Sequence, residues 1–140
     1  MELRSLKFQQ NLPMNLEKVI FGFFIVLALT LNLGFVVGEF ENPHHHNVYE
    51  LAAAILVNLF ATGLKLGDRS HVGALLLATS LVADLQLVAV AVVWTIALYI
   101  TGTGLTPPVM TSIVSLATGA LAANVISVIL LLLDPIVLRR

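Results

Sequence analysis

The chain has 140 residues, enough for one domain, with 59% apolar and 11% charged residues. A soluble domain carries about a quarter charged residues, so this composition excludes an ordinary water-soluble fold and fits one that faces lipid. A net charge of -1 with no basic stripe or aromatic platform excludes nucleic acid as a partner, and the absence of cysteine excludes disulfides, thiolate metal sites and cysteine nucleophiles.

At the N-terminus, Leu3, Leu6 and Phe8 alternate with Arg4 and Lys7. That pattern fits a short amphipathic segment at the membrane interface or a frayed tail; residues 1–16 are read as a cytoplasmic or interfacial tail, with Met14 as a second candidate start. The first apolar run, residues 19–37, exceeds the core of a secretory signal and is followed by no small-x-small cleavage site, so it reads as a retained helix. Asn42-Pro43 breaks the chain before a second run, residues 48–66. Gly67-Asp68-Arg69-Ser70 forms the next loop, and Ser70 is the expected N-cap of a third run, residues 72–100. Gly102-Thr103-Gly104 and Thr106-Pro107-Pro108 precede the fourth run, residues 109–133, because proline suits a first helical turn whose N–H groups have no helical partner. Asp134-Pro135 is expected to close it, leaving residues 135–140 as a cytoplasmic tail.

Each run meets the requirement of about 20 residues for a hydrocarbon core of about 30 Å. None alternates with the period of two that barrel strands need. The expected fold is therefore all-α, an integral membrane four-helix bundle spanning residues 17–134. All seven Lys and Arg (Arg4, Lys7, Lys18, Lys65, Arg69, Arg139, Arg140) fall on one side of a four-pass arrangement, and Glu39, Glu41 and Glu50 fall on the other. The positive-inside rule then puts both ends in the cytoplasm.

Asp84 is the most informative position. About twelve residues into the third helix, it lies ~18 Å from the cytoplasmic start, near the bilayer midplane. A charged aspartate there costs about 2.5–3.5 kcal/mol on insertion scales. No basic residue of the chain lies at that depth, and Lys65 sits well toward the inner end. Three arrangements relieve the cost: a protonated carboxyl, a carboxylate beside water or a bound cation, or satisfaction by amides and hydroxyls of this or another chain. Asn32, Asn58 and Ser80 fall at similar depth and complete an expected polar layer around Asp84. Such a layer is an ion or proton site on one reading and interhelical hydrogen bonding on the other. Gln86 follows Asp84 by two residues, a rotation of about 200°, so the third helix carries polar groups on opposite faces. A homo-oligomer covers both faces, as does a central place in the bundle.

Ser115, Gly119, Ala123 and Ser127 recur every fourth residue in the fourth helix, a small-xxx-small stripe that lets helix backbones approach. Gly34-xxx-Gly38 and Gly63-xxx-Gly67 are shorter versions, and Asn124 sits beside the long stripe. In the first outer loop His44, His45 and His46 lie among Glu39, Glu41 and Glu50. Imidazole with carboxylate suits zinc, copper or nickel, which makes a divalent metal at this loop the one candidate cofactor. Neighbouring histidines point apart, and a solvated loop is the competing reading. No zinc-protease helix, nucleophile elbow, phosphate loop or dinucleotide fingerprint is present, so no enzyme is expected.

The stretches Glu39-Phe40-Glu41-Asn42-Pro43-His44-His45-His46-Asn47-Val48-Tyr49-Glu50 and Ser80-Leu81-Val82-Ala83-Asp84-Leu85-Gln86-Leu87 resemble a family of small uncharacterised bacterial inner-membrane proteins. The resemblance runs from Met14 onward and implies a multi-pass protein of the bacterial inner membrane, with no activity attached. Two functions follow from the residues. One is an oligomeric cation or proton channel or transporter with Asp84 as the intramembrane site. The other is a non-conducting accessory or scaffold subunit of a larger membrane complex.

Overall fold

In a computed structural model the described residues are 2–39, 41–68 and 70–138, with side chains described between residues 16 and 133. Four helices account for nearly all of them: α1 Glu2–Val36, α2 Val48–Lys65, α3 His71–Thr95 and α4 Pro107–Leu138. A five-residue π turn, Ile96–Ile100, prolongs α3, and a short 3-10 turn, Pro43–His45, precedes α2. Each of the four helical stretches contains a segment long and apolar enough to cross a membrane: Leu16–Val36, Val48–Lys65, His71–Ile100 and Pro107–Leu133. Large apolar side chains such as Phe23, Leu56, Phe60, Leu85 and Leu132 stay exposed on the outside of the bundle, where lipid is their natural solvent.

Helices consecutive in sequence pack side by side, and α4 closes the ring against α1. Short connections between antiparallel neighbours give an up-down-up-down bundle. Local chemistry sets the joints. Ser70 Oγ accepts from the Gly73 amide at 3.0 Å, the expected cap of α3. Asn47 caps α2 through the Tyr49 amide at 2.8 Å, and Pro107 opens α4. After α1, Gly38 adopts φ 108°, a left-handed turn that glycine enters at little cost.

Two boundaries differ from the sequence reading. The expected tail is helical from Glu2 through Pro13, because Leu, Arg, Lys and Gln favour helix and one proline removes a single backbone hydrogen bond. Asp134-Pro135 does not close α4, which runs on to Leu138. A proline near a helix end removes one backbone hydrogen bond there. Met1, Phe40, Arg69, Arg139 and Arg140 lie outside the described residues, and so do the side chains of Arg4 and Lys7.

The bundle has two separate apolar cores rather than one. Toward the α1–α2 loop, Phe35, Leu51, Leu87, Val90, Met110 and Ile113 belong to one cluster. Toward the α2–α3 loop, Phe21, Ile25, Ala61 and Leu76 form another, flanked by Phe24, Val72 and Leu131. Between them the interior changes character.

Several glycines hold polar groups rather than a helix backbone. The Glu50 carboxylate lies where a Cβ on Gly34 would stand. His45 fills that place at Gly38, Asp68 at Gly73, and the Gln86 carboxamide at Gly119. The Gly34-xxx-Gly38 pair is thus a seat for Glu50 of α2 and His45 of the α1–α2 loop, and Gly63 and Gly67 face open space.

Candidate functional site

Between the two apolar cores each helix turns a polar side chain inward. Asn32 on α1, Asn58 on α2, Ser80 on α3 and Asn124 on α4 are all at 0% relative exposure, and Asp84 on α3 is at 8%. These positions fall on the same helical stripes as the core residues Ala28, Ala54, Leu87 and Ala120, which is why burial follows without distortion. Gln86 seated on Gly119, and Thr79 paired with Ser127, fix the antiparallel register of α3 and α4. Ser80, Asp84 and Asn124 all fall between those two contact points, at one level of the bundle.

The hydrogen bonds divide this layer. Reorienting the Asn32 amide lets its nitrogen donate to the Ala117 carbonyl at 3.2 Å and its oxygen accept from the Leu121 amide at 3.0 Å. Asn32 is thereby fully paired and ties α1 to α4. Thr79 Oγ1 and Ser127 Oγ meet at 2.5 Å and tie α3 to α4.

Around Asp84 the pairing is incomplete. Its Oδ2 lies 2.5 Å from the Thr62 hydroxyl, which also lies 2.9 Å from the Asn58 carbonyl. Asn58 Nδ2 donates to the Ala54 carbonyl at 2.8 Å. Asp84 Oδ1, Asn58 Oδ1, Ser80 Oγ, Gln86 Oε1 and both amide atoms of Asn124 have no protein partner. Leaving a buried polar atom unpaired costs about 1–3 kcal/mol. A layer serving only to join helices would pair its groups, as Asn32 does.

Thr62 and Asn124 were absent from the expected site. The signal for Thr62 was its place one turn after Asn58 on the same face of α2. Asn124 shares the inward face of α4 with Ala117 and Ala120, not only the stripe beside it. Of that stripe, Gly119 receives Gln86, Ala123 is buried and Ser127 bonds Thr79, all against α3 of the same chain or its core, whereas Ser115 is exposed. A row of every fourth residue rotates about 40° per step, so its first member leaves the packed face. Asp84 faces α2 and Gln86 faces α4, so one chain covers both polar faces of α3.

The histidines of the α1–α2 loop do not converge. His46 is 2% exposed, with Nδ1 at 2.6 Å from the Phe35 carbonyl and Nε2 at 2.7 Å from the Glu39 carbonyl. His45 Nδ1 accepts from the Glu39 amide at 2.9 Å. Those ring nitrogens are engaged by backbone, and among the described residues no group of three His, Asp or Glu is placed to hold a metal, so His44, His45 and His46 are not gathered into one site. His46 instead fastens the loop to the end of α1 beside Phe35 and Trp94. At the opposite end of the bundle, the Ser70 hydroxyl and amide hold the Asp68 carboxyl below the usual carboxylate range, with help from Lys65 at 3.4 Å.

A family model described as a family of unknown function (DUF6394) matches residues 45–135. The matched stretch holds α2, α3 and most of α4, with Asn58, Thr62, Ser80, Asp84 and Asn124; Asn32 lies outside it. No curated protein and no solved structure matches the chain.

Proposed function

Because the chain belongs to that family of unknown function, its role has to be read from its own interior, and we propose that it is a small multi-pass membrane protein that handles protons or small cations at Asp84. One observation carries this reading. A carboxyl group at mid-bundle has one oxygen unpaired among further unpaired oxygens, between two apolar cores. An ionisable group inside a membrane is by default a functional one, and among the described residues no countercharge lies at its level. Asn58 and Ser80 line the site, Thr62 orients the carboxyl, and Asn32 holds α1 in place. An apolar core on either side fits a closed, occluded state better than an open pore.

In this reading the end bearing Lys18 and Lys65 faces the cytoplasm, and the membrane is the bacterial inner membrane. No catalytic residue is assigned. A homo-oligomer is compatible with the exposed apolar outside of the bundle, but Gln86 no longer calls for one. The contacts that close within one chain, Asn32 on α4 and Thr79 on Ser127, favour the second reading, a non-conducting accessory or scaffold subunit of a larger complex.

Vesicles containing the purified protein, loaded with a pH-sensitive dye and given a proton or alkali-cation gradient, separate the two. The first reading expects gradient dissipation that Asp84→Asn lowers at least tenfold while the protein stays monodisperse. Dissipation no faster than in empty vesicles supports the second.

A further inference from the structure

We infer that the buried layer holds one unit of positive charge at a time, a proton in the resting form and one monovalent alkali cation in exchange for it. The inference rests on the reading of Asp84 as an ion or proton site and names the substrate class of that site.

Charge balance is the first argument. Among the described residues Asp84 is the one ionisable group in the layer; the other buried polar residues there are Asn32, Asn58, Thr62, Ser80, Asn124 and Ser127. Lys65 lies at the inner end, where its ammonium sits 4.5 Å from the Phe21 ring and 3.4 Å from Asp68. A single carboxylate neutralises a single positive charge. A divalent ion leaves an uncompensated charge in a low-dielectric interior, which disfavours it.

Proton counting is the second argument. The Thr62 hydroxyl has one hydrogen and two oxygen neighbours, the Asn58 carbonyl and Asp84 Oδ2. One hydrogen shared between two acceptors makes neither bond at full strength, and a proton on the Asp84 carboxyl removes the shortage. The hydroxyl then donates to the carbonyl and accepts from the acid, so both Thr62 contacts are satisfied with Asp84 neutral and no cation bound.

The unpaired atoms are the third argument. Asn58 Oδ1, Ser80 Oγ, Asp84 Oδ1 and Asn124 Oδ1 are oxygens without a partner, on three helices. Oxygen donors of this kind suit hard cations, and neither a thiolate nor an inward imidazole is among them. The exchange balances: the carboxyl O–H bond breaks, its proton leaves to solvent, and the carboxylate and neighbouring oxygens take the cation with no change in net charge.

The test is proton release from the purified protein in lightly buffered detergent, read with a pH indicator as lithium, sodium or potassium chloride is added. Choline chloride controls for ionic strength. The wild type is expected to release about one proton per chain with at least one alkali chloride, and none with choline or at equal magnesium chloride. Asp84→Asn is expected to release none, and Ser80→Ala to raise the half-saturating cation concentration about fivefold while keeping the stoichiometry. Absence of release between pH 5 and 9, or release that survives Asp84→Asn, overturns the exchange. If release is absent but vesicles still dissipate a pH gradient through Asp84, the exchange fails and the proposed function stands. If dissipation is also unchanged by Asp84→Asn, both fail.

Discussion

The contact of α1 with α4 and the contact of α2 with α3 are both polar, both buried and nearly level, yet they are built to different ends. On the first side the Asn32 amide matches the Ala117 carbonyl and the Leu121 amide of a partner helix. On the second, Asp84 meets Thr62 through one oxygen and leaves the other bare, with Asn58 Oδ1 and Ser80 Oγ also unpaired. Polar residues at one depth of a bilayer are therefore not one class. Paired ones fasten helices, and unpaired ones hold a place for something that is not protein.

That contrast can be broken by substitution. The largest expected effect is on transport: Asp84→Asn lowers vesicle flux tenfold or more with a stability change below about 1 kcal/mol, because the amide keeps the Thr62 contact. Asn32→Leu reverses the pattern, with flux within about twofold of wild type. If flux falls as far as in Asp84→Asn, the division between fastening and open groups is wrong.

Stability changes come next, each read by unfolding in mixed micelles. Gly38→Ala is expected to cost about 2 kcal/mol, since its backbone has φ 108° and the His45 ring fills the space of a Cβ. Asn32→Leu follows at about 1–1.5 kcal/mol, the upper range for a polar contact between membrane helices. Thr79→Ala and Ser127→Ala, combined in a double-mutant cycle, should show a coupling near 0.6 kcal/mol. A coupling of zero would remove Thr79–Ser127 from the fastening set.

The smallest effect concerns pH at the α2–α3 loop. Asp68 has its carboxyl depressed chiefly by the Ser70 hydroxyl and then by the Ser70 amide. Its contribution is present above the ordinary carboxylate range and is lost as pH falls through the depressed folded value. Asp68→Asn should flatten that acid limb by lowering stability slightly at neutral pH, where the contribution is present, and leaving it unchanged at acid pH. An unaltered acid limb would show that Asp68 does not supply it.

Much of this arrangement is legible in the amino-acid order. Long apolar runs punctuated by Asn42-Pro43, Gly67-Asp68 and Pro107-Pro108 give the helices and joints, because hydropathy and turn chemistry act locally. The inward positions of Asn32, Asn58, Ser80 and Asp84 follow from helical spacing. Pairing does not: whether Asn32 meets a backbone and Asp84 a hydroxyl depends on the register between helices. The same limit explains Gly34 and Gly119. Spacing marked them as places of close approach, but only the neighbouring helix decides that Glu50 and Gln86, rather than backbone, come near. At His46 the loop conformation decides, since a turn must form before two carbonyls can flank one ring.

The unequal helices have a further consequence for the surrounding lipid. With 18 residues, α2 rises only about 27 Å, whereas α1 has 35 residues and α4 has 32. Lys65 closes that short helix with its ammonium over the Phe21 ring and beside Asp68, anchoring the charge at the helix end. Hydrophobic mismatch would then be felt first along α2, and a thick bilayer would have to thin locally on that flank, next to the helix that carries Asp84.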